Sequence, residues 1–405
     1  MIGIKKVLVL LAGVLSIFFI GCEIPEEENQ PEKVSLEVNF DLPVGAGANI
    51  DMVIDENVAY LNEYVTGYGA CAIDLDTGNV KWRIKNSFEG ITDPVLYEDY
   101  LYMVGRDMTD DYENPLYYYL YKINKTNGDM TKTRLAGVDK GKSPRMNRLS
   151  ENNGVLFWSC ANKVNIYFYN LADDLHGIAY TFDNPIAITK RFVFGTDEAG
   201  VVAYFSFSDR DKITVPKVYA MRVENTMFTD TLWSVERDFG DGVFTSQIAV
   251  REDLLLISSY HTTMMLNRAT GDVVWENTTV GGACSDGGFT FSDGNIYFSN
   301  FDLDKNLICM NEQTGKVIWT APCSSTTGGR PLVKNGVVYF MMQSKICMYD
   351  ADTGENLAYD SSIKGGVYCY DPIYEYKGNL ITKTLTETDP DSWGTFYSIK
   401  MNYKP

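Results

Sequence analysis

Few residues in this chain have the type and spacing that chemistry needs. The two histidines, His176 and His261, lie far apart. Neither belongs to an H-E-x-x-H or comparable spacing, so no histidine-rich zinc site is expected. Two loops, Asp74-Leu75-Asp76-Thr77-Gly78 and Asp350-Ala351-Asp352-Thr353-Gly354, alternate carboxylates as calcium loops do. Their glycine falls one residue early for an EF-hand and the glutamate expected at the twelfth position is missing. These are read as turns, and no metal is predicted. Of the eight cysteines, Cys71, Cys309 and Cys347 recur at near-equivalent places before a turn threonine and are read as small packed hydrophobes. Cys284 and Cys323 sit in matching glycine-rich loops and are the candidate disulfide in an oxidising compartment.

The elements that must position such residues are short strands. From Val34 onward the chain alternates apolar runs with Gly, Asn, Asp and Pro, and no stretch has a helical period, which predicts an all-β fold. One phrase organises it: Ala72-Ile73-Asp74-Leu75-Asp76-Thr77-Gly78-Asn79-Val80-Lys81-Trp82. It reads as a hairpin in which Gly78 supplies the positive φ of a tight turn and Trp82 offers a large apolar face to a neighbour. The turn and tryptophan return at Thr270, Gly271 and Trp275, and again at Thr314, Gly315 and Trp319. Thr353-Gly354 keeps the turn but has Ala358 in the tryptophan's place, and Asn127-Gly128 is a looser copy with Lys132 there. Trp319 follows Trp275 by 44 residues and Trp275 follows Trp233 by 42, a period that indicates a solenoid or propeller.

Each unit repeats a first strand often opened by proline (Pro94, Pro144, Pro185, Pro331, Pro372), a turn, a very apolar second strand and the hairpin. Units begin near Ile50, Thr92, Lys142, Asn184, Gln247, Gly287, Arg330 and Asp371, which makes eight, with seven as the alternative count. The third has lost the Thr-Gly turn and the fourth carries an insertion before Trp233. The eighth lacks a fourth strand, whereas Val34–Phe40 is a lone strand without a unit. Pairing the two closes a ring and removes the sheet edges, which predicts an eight-bladed β-propeller of four-stranded antiparallel blades. Ala72, Asp74, Thr77, Gly78 and Trp82 together resemble the repeat signature of the PQQ-like (pyrroloquinoline-quinone-type) propellers. That resemblance covers 34–405 and implies that each tryptophan docks between blades.

The family resemblance raises quinone chemistry. Quinoproteins of this type are similar to longer chains with adjacent cysteines beside the cofactor and a carboxylate-bound calcium. This chain has no adjacent cysteines, and its acidity makes it a poor host for a cofactor bearing several carboxylates, so no PQQ and no other cofactor is expected. Lys+Arg 35 against Asp+Glu 54 leaves a net charge of -19. That excludes nucleic acid, which needs basic surface, and electrostatic docking on anionic lipid. It is compatible with solubility alone or with an acidic surface that serves a partner.

Residues 1–21 have Lys5 and Lys6 before an apolar run that is too short to span a bilayer, and end Phe19-Ile20-Gly21-Cys22. This resembles a bacterial lipobox with Phe19 in place of the usual leucine, and implies a signal peptide, lipidation of Cys22 and membrane attachment through that lipid only. Residues 22–33 are an acidic, proline-containing tether. Anchor, length, blade count and repeat type together resemble the propeller lipoproteins of the outer-membrane β-barrel assembly machine. The resemblance implies a non-catalytic scaffold that binds protein partners at the outer membrane, facing either the periplasm or the cell surface. A surface carbohydrate or adhesion module is the alternative. A propeller-fold enzyme, quinoprotein or glycan hydrolase or lyase, would need a clustered acid and base at one mouth of the channel. Propeller loops entering the first strands crowd one mouth, so Asp93, Arg145, Arg330, Tyr370 and Asp371 are the candidate binding residues.

Overall fold

The computed structural model describes residues 34–45, 51–63, 69–107, 117–135, 148–160, 163–188, 191–209, 212–236, 248–259, 261–281, 288–300, 306–322, 329–342, 345–360, 363, 372–385 and 394–403. Cys22, Arg145, Cys284, Cys323, Tyr370 and Asp371 lie outside the described residues.

Among the described residues thirty-three strands form eight antiparallel blades around a ring. Blade one is Val53–Asp55, Val58–Glu63, Gly69–Asp74 and Val80–Ile84. Blade two is Val95–Tyr97, Tyr100–Asp107, Tyr118–Asn124 and Met130–Arg134, with Phe88–Gly90 added along its second strand. Blades five, six and seven repeat the plan from Ala249–Arg251, Thr290–Ser292 and Leu332–Lys334. Blade eight has three strands from the C-terminus, Tyr374–Tyr376, Asn379–Leu385 and Gly394–Tyr403. Its fourth is Val34–Pro43, which pairs with Gly394–Tyr403 from Val34↔Tyr403 to Pro43↔Thr395. The lone strand read in the sequence is therefore the closure.

The second and third strands of a blade are covered on both sides, which is why they read as continuous apolar runs. All of Val58–Glu63, Val155–Ser159 and Val337–Met342 are buried. The core is not one mass but eight clusters, each shared by two neighbouring blades. Hydrophobic burial thus ties blade to blade, while backbone hydrogen bonds hold each blade together.

Blades three and four depart from the units read in the sequence. The segment near Asn184, with Pro185, does not open blade four. It continues His176–Ile188, the outer strand of blade three, and blade four starts at Val193–Asp197. Pro185 is tolerated there because it falls in the break of register between Lys163↔Ile186 and Asn165↔Thr181. The insertion before Trp233 lengthens Gly200–Asp209 and Lys212–Glu224 into a long hairpin. Its turn end pairs with the end of the blade-three strand at Ala187↔Ser208 and Ile188↔Phe207, joining the two sheets.

Tryptophan docking follows a simple rule. Trp82, Trp233, Trp275 and Trp319 each donate their indole N–H to a backbone carbonyl in the next blade, those of Lys125, Arg268, Glu312 and Ala351, at 2.9–3.0 Å. Each ring lies flat on a turn glycine of that blade (Gly128, Gly271, Gly315, Gly354), where an added Cβ would come within 2.3–3.0 Å of the indole. Those glycines also have φ of 66–78°, so two constraints converge on the same residue. Blade eight has no such turn, because its third and fourth strands come from opposite chain ends, and Ala358 stands where blade seven would place a tryptophan. On the other side of the seam Phe40, in the closing strand, lies 2.7 Å from where a Cβ on Gly78 would sit. Phenylalanine there does the tryptophan's work.

Candidate functional site

The first strands are entered through a buried anchor residue, which is a proline, Pro94 or Pro331, in blades two and seven. Met52, Leu149, Phe192, Ile248, Phe289 and Ile373 are buried apolar residues immediately before their strands and anchor the other entry segments. The residue before the anchor is Asp51 in blade one, Asp93 in blade two, Arg148 in blade three, Arg191 in blade four and Arg330 in blade seven. Equivalent positions on a ring converge, so these charges meet.

Asp93, 2% exposed, is the hub. Its carboxylate pairs with Arg148 at 3.0 Å and with Arg191, and accepts the Asp51 N–H at 2.6 Å. Burial pushes this carboxyl up, but the two guanidinium groups and the hydrogen bonds outweigh burial and hold it below the usual carboxylate range. Asp51 accepts the Tyr374 hydroxyl from blade eight. Burial first, and then the Asp51 charge, push the Tyr374 phenol well above its ordinary value, so it remains a proton donor. The Arg330 guanidinium lies over the Tyr374 ring, 5.6 Å from its centroid, and the Ile373 N–H donates to the Arg330 carbonyl at 3.3 Å. The Ser150 hydroxyl accepts the Phe192 N–H at 2.8 Å, and the Thr290 hydroxyl donates to the Pro331 carbonyl. One polar arc thus links the entries of blades six, seven, eight, one, two, three and four.

Of the candidate binding residues in the sequence, Asp93 and Arg330 fall on this arc, joined through Asp51 and Tyr374. Sequence reasoning missed Asp51, Arg148, Arg191 and Tyr374. For Asp51, Arg148 and Arg191 the signal was a charged residue followed by an apolar one just before a first strand, a pair found in blades one, three and four. Beside the arc a cavity of about 280 Å³ opens between blades six, seven and eight, walled by Phe289, Thr290, Arg330, Pro331, Leu332, Ile373, Tyr374 and Glu375. Farther around, Glu63 pairs with Arg83 at 3.3 Å, Glu89 with Arg106 and Asp107 with Lys132.

His176 stacks on Tyr169 in blade three, with ring centroids 5.7 Å apart. Cys71, Cys309 and Cys347 are fully buried strand residues, as their spacing suggests, and Cys160 is also buried. Of the tyrosines after Pro115, Tyr118 is buried, Tyr119 half-buried, and Tyr117 lies under the Arg134 guanidinium at 3.3 Å.

Residues 266–359 match the PQQ_2 family, described as outer membrane protein assembly factor BamB. Over those residues the chain resembles this repeat family, and in fold it is a propeller similar to BamB. BamB from Moraxella catarrhalis superposes with a TM-score of 0.62 at 10% identity, over 90% of this chain and 98% of that one. The quinohemoprotein alcohol dehydrogenase from Comamonas testosteroni gives 0.65 at 12% identity, over 90% of this chain and 76% of that one. The computationally designed Ika8 protein gives 0.57 at 10% identity, over 88% and 96%. No curated protein matches the chain in sequence.

The quinone that this fold hosts elsewhere does not suit the residues described. Its several carboxylates need cationic partners, and Arg148 and Arg191 are spent on Asp93. Among the described residues no three His, Cys, Asp or Glu side chains converge as cation ligands. Cys71, Cys160, Cys309 and Cys347 lie in four different blades rather than side by side.

Proposed function

We propose that this protein is a non-catalytic scaffold of the cell envelope, held to the outer membrane by a lipid on Cys22, that presents the loops of a rigid propeller to protein partners, with outer-membrane protein assembly as its specific role. The observation that carries the reading is the polar arc. Its titratable acids are committed to neighbours: Asp93 stays ionised between two arginines, and Tyr374 keeps its proton for Asp51. General acid–base catalysis needs a group whose pKa lies near the working pH, and these two are shifted away from it. What the arc does instead is lock seven entry segments in register, which suits a preorganised binding face. The match of residues 266–359 to a family described as an assembly factor supports the specific role.

The test is a pull-down of the tagged full-length protein from mild-detergent envelopes after brief crosslinking. Recovery of a large β-barrel protein together with its assembly lipoproteins is the expected result. Recovery of nothing, from cells in which external protease trims the protein, would overturn the assembly role and indicate an outward-facing ligand binder. Cys22→Ala, fractionated in parallel, is expected to leave the membrane pellet.

A further inference from the structure

The cavity between blades six, seven and eight differs from the rest of the arc in one respect. Among the described residues most other arginines face carboxylates: Arg83 faces Glu63, Arg106 Glu89, Arg148 and Arg191 Asp93, Arg222 Asp197, Arg251 Glu312 and Arg268 Asp253. Arg134, exposed and not part of the cavity wall, lies on the Tyr117 ring. Arg330 lines the cavity, and among the described residues its guanidinium has a ring beneath it and no carboxylate. In a chain with a net charge of -19, a pocket arginine left without an acid is unusual.

The other polar groups of the wall are already used. Tyr374 gives its hydroxyl proton to Asp51. Glu375 accepts the Gly378 N–H at 2.8 Å and faces Lys334 at 3.5 Å, which offsets its charge. The Thr290 hydroxyl is bonded to the Pro331 carbonyl. The remaining wall, Phe289, Pro331, Leu332 and Ile373, is apolar. A fixed tyrosine beneath Arg330 holds the planar fork of donors in place, the preorganisation that favours bidentate pairing with a planar anion. A single guanidinium with Glu375 nearby suits one negative charge and disfavours a phosphate dianion. A volume of about 280 Å³ lies just below the ~300–1,000 Å³ range of drug-sized ligands, so the ligand is compact.

We propose that this cavity is a carboxylate-binding site, in which Arg330 pairs with the carboxylate of a ligand whose small apolar body packs on Phe289, Pro331, Leu332 and Ile373. The carboxylate comes from a free small acid or from the terminus of a peptide chain. The site stands independently of the scaffold reading, since either a scaffold or an outward-facing binder could use it.

The experiment titrates the purified full-length protein, in detergent, with N-acetyl-leucine and with its neutral counterpart N-acetyl-leucinamide, by calorimetry. A short peptide ending in leucine, with a free or an amidated terminus, forms the second pair. Binding of an acid about tenfold or more tighter than its amide is expected, because hydrogen bonds to a charged group contribute about 1.5–3 kcal/mol. Arg330→Met is expected to bring acid down to amide, with Arg330→Lys in between. Discrimination with N-acetyl-leucine identifies a small-molecule site; discrimination with the peptide alone identifies a chain terminus. Equal binding of acid and amide in both pairs, or no saturable binding of any probe, overturns the proposal. If circular dichroism shows Arg330→Met unfolded, the acid-to-amide ratio of the unsubstituted protein decides.

Discussion

The turn glycines show how a single hydrogen atom can be decisive. Gly315 has a φ of 66° and its hypothetical Cβ lies 2.3 Å from the Trp275 ring; Gly294 has a φ of 75° and nothing within 4 Å. Gly294→Ala is therefore expected to carry only the left-handed backbone penalty, about 1 kcal/mol. Gly315→Ala adds overpacking and is expected to lose about 2–4 kcal/mol. Urea denaturation of the two variants tests this, and equal losses would refute the docking role of the glycine. Asp93 makes a sharper case. Asp93→Asn leaves two arginines facing a neutral group, and removal of one partner of a buried pair costs about 3–5 kcal/mol. Because the folded pKa of Asp93 is depressed, its stabilisation is complete above the unfolded carboxylate value of about 3.9 and is lost as pH falls through the folded value. The stability gap between native protein and Asp93→Asn should thus hold from pH 7 to about 5 and narrow below about 4. A gap that widens toward acid would invert the assignment. At this scale Asp93 and Arg330 were legible because each stands beside an entry proline. Arg148, Arg191 and Tyr374 were not, because a charged or polar residue beside an apolar one is too common a pair to single them out: their role arises only when equivalent positions are brought around the axis.

Strands carry the next level of meaning. The hairpin phrase was legible because glycine, threonine and tryptophan have separate physical duties that fix their spacing. Asp74 shows why the first turn position is Asp or Asn: its carboxylate accepts the Asp76 N–H, the Thr77 N–H and the Thr77 hydroxyl at 2.9–3.1 Å. Asn311 and Asp350 do the same for Thr314 and Thr353. Blade three lost the Thr-Gly pair yet kept the conformation, with Asp174 at a φ of 57° in the glycine's place. The boundary near Asn184 misled because proline marks both a strand start and a break within a strand's pairing, and only the register distinguishes them. Tryptophan content follows the neighbour: a blade carries the docking ring where the next blade offers a turn glycine. Trp319→Ala is accordingly expected to lose about 3–5 kcal/mol and Phe40→Ala about 2–3 kcal/mol, Phe40 being only partly buried. Thermal melts of both variants check this, and a neutral Phe40→Ala would mean that the closing strand is held by its backbone pairing alone.

Closure makes eight blades one object. The seam between blades eight and one is held by backbone pairing of Val34–Pro43 with Gly394–Tyr403, by Phe40 on Gly78, and by Asp76, which accepts from Tyr376 at 3.1 Å and Lys377 at 2.8 Å. That a ring forms was legible from the unmatched strand at each chain end; which side chains seal it was not, because Phe40 breaks the tryptophan pattern. Four buried thiols report on the ring from different places: Cys71 in blade one, Cys160 in blade three, Cys309 in blade six and Cys347 in blade seven. Burial pushes the Cys309 thiol up to about 11 and the Cys347 thiol up to about 12, and burial together with Glu63 pushes Cys71 up as well. A thiol with a pKa near 11 is ionised to on the order of one part in a thousand at pH 8, so alkylation must wait for the blade to open. In a closed ring no interface is terminal, and alkylation of all four, followed site by site by mass spectrometry at increasing urea, is expected to rise in one transition. Phe40 packs on the same interblade cluster that contains Cys71, whereas Cys160 belongs to the cluster between blades two and three. Phe40→Ala should therefore expose Cys71 at a lower urea concentration than Cys160, splitting the single transition from the seam outward. Simultaneous labelling in that variant would show that the ring does not depend on its seam, and that the blade-to-blade clusters suffice to hold it closed.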